Sequence, residues 1–225
     1  MAHKIRIVTE TVIVYLVFLL CSMQSLFVNS ASRTITITAK GELISLIFYK
    51  LPLIAVIVLL SKKNFFLRQQ NHNPVYVESK SKKITCKNFF LSVATSLAGL
   101  FCAAFLVSFI CNIFVESRAF SLDIQNSVFI HIIIIISSIS TAYVEELFFR
   151  FFLLKVFLEK IPLLIAITIS SLMFAACHII QGLQGIANAF IAGIILCIIF
   201  NRLKSFNGIA IAHALFDIVA FETYL

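Results

Sequence analysis

Glu145, Glu146 and Arg150 sit together in the run TAYVEELFFRFF, His178 closes SSLMFAACH, and His213 and Asp217 stand four apart in IAHALFD. An ionisable side chain inside a bilayer is costly. In a chain that is 61% apolar, such residues therefore mark places where pairing or chemistry is needed. On a helix Glu146 and Arg150 are i and i+4 with the acid on the amino-terminal side, the favourable order for an ion pair. Arg150 can thus hold one carboxylate ionised. Glu145 is rotated about 100° from its neighbour, so the two carboxylates need not share a partner and can take different roles. His213 with Asp217, and Phe174 with His178, repeat the four-residue spacing.

Carboxylates and imidazoles in a dry setting are the components of acid–base hydrolysis. A carboxylate among apolar residues is a better proton acceptor than one in water. A histidine can donate to a developing oxyanion, and an aspartate beside it fixes its tautomer or keeps it protonated. Glu145, His178 and His213 also make the His₂Glu set used by catalytic zinc, with water in the fourth position. Because HExxH is absent, the metal-free version is the favoured reading and zinc the alternative. Each feature has a plainer reading as well: a structural ion pair, a buried histidine on a backbone carbonyl, polar glue between membrane helices. Three helices burying such groups together favour a site. His131, outside these motifs, reads as interfacial.

The elements that must position these residues follow from composition. With 225 residues, 12% charged, 24 Phe and no Trp, and a mean hydropathy of +1.06, the chain has too little polar surface for a soluble domain. The expected architecture is an all-α polytopic transmembrane bundle of about seven spans. Of the 18 basic residues behind the net charge of +8, seven fall between Lys62 and Lys87 against the single acid Glu78. That is the signature of a cytoplasmic loop rather than of nucleic-acid binding. The six Cys show no CxxC spacing, which argues against both a disulfide framework and a zinc ribbon.

The first apolar run, to about Val28, is longer than the roughly 7–15 residues of a signal-peptide core, so it reads as span one with a cytoplasmic amino terminus. The following spans are expected over Leu43–Leu60, Asn88–Val115, Val128 to a break at Lys160–Pro162, Ile161–Ile180, Ile186–Phe200 and Gly208–Phe221. Lys50, inside the second, is either snorkelling or internally paired. Residues 1–126 thus form an amino-terminal unit of three helices, and 127–225 a core of four. Glu145 is 16 residues before Ile161 and His178 is 17 after it, so a hairpin brings both to the same height, on the order of 25 Å from the turn. His213, close behind Gly208, fits that depth only if the 151–165 hairpin protrudes or the last span starts earlier.

The ordered set Glu145-Glu146-x-x-x-Arg150, Phe174-x-x-x-His178 and His213-x-x-x-Asp217 on successive membrane helices resembles the CPBP family, the CAAX proteases and bacteriocin-processing enzymes also called Abi. The resemblance covers about residues 127–221. It implies a CPBP-like helical bundle and intramembrane peptide hydrolysis, in which Glu145 and His178 activate water and His213 with Asp217 lies near the oxyanion. Glu146 belongs to the same catalytic group, and Arg150 and Phe174 support it. No cofactor is favoured; zinc on Glu145, His178 and His213 is the alternative the family allows. The implied partners are a peptide or membrane-protein substrate and the lipid bilayer. Asp217 stands where the CAAX-processing branch commonly has Asn, which points to a secreted-peptide precursor, a bacteriocin or pheromone, beside CAAX-type substrates. Two other readings are a non-catalytic regulator or immunity protein of the same fold and a transporter whose pathway these residues line. Against the transporter, the chain has no internal repeat.

Overall fold

The computed structural model describes residues 2–22, 34–37, 39–59, 86–114, 121–124, 129–158 and 160–222. The basic loop 61–87 therefore lies outside the described residues except for Cys86 and Lys87, as does the end of the first apolar run at 23–28. α1 is Ala2–Ser22. α2 is α-helical over Ala39–Ser45, π-helical over Leu46–Lys50 and α-helical again over 51–59. α3 is Cys86–Phe114. α4 is α-helical over Ile130–Glu146, π-helical over Leu147–Leu153 and α-helical over Leu154–Leu158. α5 is Leu163–Ala176, α6 is Gly182–Leu203 and α7 is Phe206–Glu222.

The described residues are helical apart from turns and one ribbon, in which β1 (Thr34–Ile37) pairs in parallel with β2 (Ser121–Ile124). Four helical stretches among them are long and apolar enough to cross a membrane: Lys40–Leu59, Cys86–Ile113, Ile130–Leu158 and Ile179–Leu203. Apolar side chains cover these helices on all sides, as lipid and a packed bundle both require. Thr9–Leu19 within α1, and α5, are apolar but shorter.

Several boundaries differ from the sequence expectation, and three of them bear on the site. α5 ends at Ala176 rather than near Ile180, because the Cys177 and His178 amides bond back to Phe174 and Ala175 and tighten the chain into a turn. A 3₁₀ turn, Ile179–Gln181, then leads to Gly182 at φ 73°, a left-handed conformation that glycine adopts without steric penalty. α6 consequently begins at Gly182, ahead of the expected Ile186. α7 begins at Phe206 rather than Gly208 and runs antiparallel to α4. Phe206 packs on Phe151, His213 meets Glu146, and Glu222 meets His131. The stretch of α4 beyond Phe151 and its turn into α5 thus lie past the level where α7 starts. Of the two ways to reconcile the depths, the earlier start of the last helix is present.

Two apolar clusters hold the bundle. Phe148, Phe149, Phe152 and Phe174 pack with Val14 and Phe18 of α1 and Leu53 and Ile57 of α2, with Phe18 in ring contact with both Phe148 and Phe149 at 5.6 and 5.3 Å. Leu100, Ile167, Leu196, Phe200 and Ile209 form the second, among α3, α5, α6 and α7. Tyr15 of α1 donates to the Met173 carbonyl at 3.1 Å and ties α1 to α5.

Backbones approach closely where glycine faces serine, the small-residue packing that membrane helices favour. A Cβ on Gly193 of α6 would lie 2.9 Å from Ser171 Cβ and 3.1 Å from its Cα on α5. The obstacle includes backbone and cannot rotate away. Gly193→Leu is expected to destabilise the bundle by about 1–3 kcal/mol, read as a lower melting temperature in detergent. An unchanged melting temperature would show that α5 and α6 are not held at this distance.

Candidate active site

α4 and α7 supply the ionisable groups, and α5 supplies the aromatic floor between them. Glu146 and Arg150 are both fully buried, at 0% exposure. Arg150 Nη1 lies 2.9 Å from Glu146 Oε1, so the anticipated pair is present. It is formed across the start of the π-helical segment rather than within regular α-helix, and π segments recur at functional sites. The wider turn leaves the Phe149 carbonyl to accept from the Leu154 amide and also from Ser170 Oγ of α5 at 3.1 Å. That bond anchors the irregular stretch to its neighbour.

His213 sits between the two glutamates. Its Nδ1–H donates to Glu146 Oε1 at 2.8 Å. Its Nε2 is 3.7 Å from Glu145 Oε2 and 3.7 Å from Asp217 Oδ1, too far for a hydrogen bond to either. One ring nitrogen is committed and the other faces two carboxylates unbonded. The 100° rotation between Glu145 and Glu146 does separate their environments, yet the two carboxylates approach the same imidazole from its two sides. That sharing was not anticipated from the spacing.

Phe174 does more than fill space. The Arg150 guanidinium carbon lies 4.3 Å from its ring centre, a cation–π distance. The His178 and His213 rings lie 4.7 and 6.0 Å from it at steep angles, and Phe149 meets it edge-on at 5.1 Å. One ring therefore touches members of all three motifs. His178 stands just beyond the end of α5, not on it. Its Nδ1–H donates to the Phe174 carbonyl at 3.0 Å, which assigns the proton to Nδ1 and leaves Nε2 as the other ring position. Among the described residues no hydrogen bond or ion pair joins His178 to Glu145; His178 enters the cluster through Phe174.

Among the described residues no group of three His, Cys, Asp or Glu side chains is arranged to hold a metal ion. Glu145, His178 and His213 do not converge on one point. The partners of two polar residues were not legible in the sequence. His131, expected at the interface, has Nδ1 3.0 and 3.1 Å from the Glu222 carboxylate oxygens and joins the far ends of α4 and α7. Lys50 is paired rather than snorkelling, with Glu42 Oε2 at 3.2 Å and with Ser137 of α4. Nothing in the local sequence signals either partner.

Residues 127–219 match the family model described as type II CAAX prenyl endopeptidase Rce1-like. This segment is similar to the Rce1-like family. The match begins just before α4 and runs into α7, so it contains every residue from Glu145 to Asp217 in the cluster above. No curated protein and no solved structure matches the chain. An Rce1-like segment on apolar, membrane-length helices supports a membrane protein with CAAX-type endopeptidase activity. The amino-terminal helices lie outside the match. α1 nevertheless packs directly on the Rce1-like segment through Tyr15 and Phe18.

Proposed function

We propose that the protein is an intramembrane glutamate endopeptidase acting near the carboxyl end of CAAX-type substrates, with Glu145 as general base. The observation that carries this reading is the posture of His213, whose Nδ1 is held by Glu146 while Nε2 is left between Glu145 and Asp217. Glu145 takes a proton from water as the oxygen attacks the scissile carbonyl. The tetrahedral oxyanion accepts from the His213 Nε2–H, and Asp217 keeps that proton in place. As the C–N bond breaks, Glu145 returns its proton to the leaving amine. His178, oriented by the Phe174 carbonyl, holds the water through Nε2. Glu146 and Arg150 position His213. Every step uses groups already aimed before substrate arrives, which is where electrostatic catalysis gains most.

In this reading residues 127–225 are the catalytic core, all seven helices cross the membrane, and the amino terminus and 61–87 face the cytoplasm. The β1–β2 pairing supports that layout, since it joins the segment between α1 and α2 to the one between α3 and α4, two connections that an even number of crossings places on one side.

The test is hydrolysis of a farnesylated peptide ending in a CAAX sequence by purified protein in nanodiscs, comparing wild type with His213→Ala. Loss of a preorganised oxyanion donor is expected to lower kcat by about 10²–10³-fold with KM little changed. His213→Gln, which keeps an N–H, should recover part of the loss. Wild-type protein that cleaves no such peptide, or a His213→Ala variant with full kcat, would overturn the assignment.

A further inference from the structure

Lys50 is only 7% exposed in a stretch whose mean hydropathy is 2.2, well outside the segment that carries the site. It ends the π turn of α2. Its ammonium donates to Glu42 Oε2 at 3.2 Å and to Ser137 Oγ on α4, and Ser137 in turn donates to Glu42. An ammonium carries three donors, and these contacts use two. Glu42 is the more open member of the pair, with 28% of its side chain exposed against 9% for Lys50. A buried cation with a spare donor and a displaceable, half-open counter-ion is suited to an incoming carboxylate.

Its distance from the reacting groups is informative. Ser137 and Glu145 are eight residues apart on α4, about 12 Å along the axis, and Lys50 is among the charges within electrostatic reach of Glu145. Three residues of extended peptide span roughly 10 Å. We infer that Lys50, with Ser137, binds the terminal α-carboxylate of the substrate and so sets which bond lies at Glu145. The inference rests on the endopeptidase reading above. A carboxylate held there places the bond three residues from the carboxyl end at the general base, which in a CAAX substrate is the bond after the cysteine.

The experiment compares a farnesylated CAAX peptide with its carboxy-terminal amide, both by hydrolysis with wild-type protein and by binding to the Glu145→Gln variant in nanodiscs. The free acid is expected to bind at least about tenfold tighter than the amide, about 1.4 kcal/mol. Lys50→Arg should keep that preference. The double variant Glu42→Gln, Lys50→Gln should abolish it, and because it removes both charges together it leaves no lone buried ion to unfold the bundle. A double variant that still prefers the acid, or Glu145→Gln protein that binds acid and amide equally, overturns the carboxylate site. Equal hydrolysis of acid and amide by the wild type overturns it too, and leaves the endopeptidase reading standing. Acid-selective binding without hydrolysis does the reverse.

Discussion

Glu145→Gln is expected to reduce peptide hydrolysis by about 10²–10⁴-fold while leaving the melting temperature of the protein nearly unchanged. The asymmetry follows from what Glu145 touches. Among the described residues its ion-pair contact is with His213 Nε2 at 3.7 Å, beyond hydrogen-bond reach, so an amide in its place strands no hydrogen-bond partner there. A neutral amide is also at least as easy to keep at this 8% exposed position as a carboxylate. Initial rates on a farnesylated CAAX peptide, with thermal unfolding of the same sample, check both halves. Full activity in the variant would remove Glu145 from the role of base. A large drop in melting temperature would instead mean that its carboxylate is structural.

Arg150→Met is expected to act in the opposite sense, with a loss of about 3–5 kcal/mol of stability. Arg150 and Glu146 are both at 0% exposure, and among the described residues the Arg150 Nη1 contact at 2.9 Å is joined only by the His213 bond at 2.8 Å on the same carboxylate oxygen. Taking away the guanidinium leaves a buried carboxylate short of positive charge, and removes a flat cation from the face of Phe174. Activity should fall with stability, since Glu146 would no longer be held where it orients His213. The double variant Arg150→Met, Glu146→Gln should regain part of the stability without regaining activity, because neither buried charge is then left unpaired. Unfolding midpoints in detergent for the single and double variants decide the matter. A single variant as stable as wild type would mean that the pair contributes little.

The partners of these two residues show where sequence reading worked and where it stopped. Four-residue spacing was enough to pair Glu146 with Arg150 and to bring His213 near Asp217, since i and i+4 positions on a helix are neighbours whatever surrounds them. The same rule placed His178 on a helix with Phe174, and there it failed. The helix ends at Ala176, yet the turn keeps the His178 ring against Phe174 and on its carbonyl. Backbone bonds in the turn decide that, and no side-chain pattern encodes them.

Lys50 marks the limit from the other side. Its placement in an apolar run left two outcomes, snorkelling or an internal partner, since an unpaired ammonium in hydrocarbon is too costly to keep. Which partner depended on Ser137, 87 positions along the chain, and on a π turn that re-aims the side chain. Among the described residues both π segments carry a buried basic residue, Lys50 and Arg150.

The amino-acid sequence by itself determined the solvent of this protein, its helical class and which ionisable residues its apolar helices carry. Hydropathy and backbone hydrogen bonding leave a lipid-embedded chain of this kind few alternatives to helices, and rare ionised residues in such helices are conspicuous. The tertiary structure decided which of those residues meet: that one histidine stands between two adjacent glutamates, that one phenylalanine underlies three motifs, and that a lysine of α2 faces the helix that carries Glu145. Those contacts join residues far apart in the chain, and they depend on how α4, α5 and α7 cross. Crossing geometry is set by the shapes of packed surfaces such as Gly193 on Ser171, which no local spacing records.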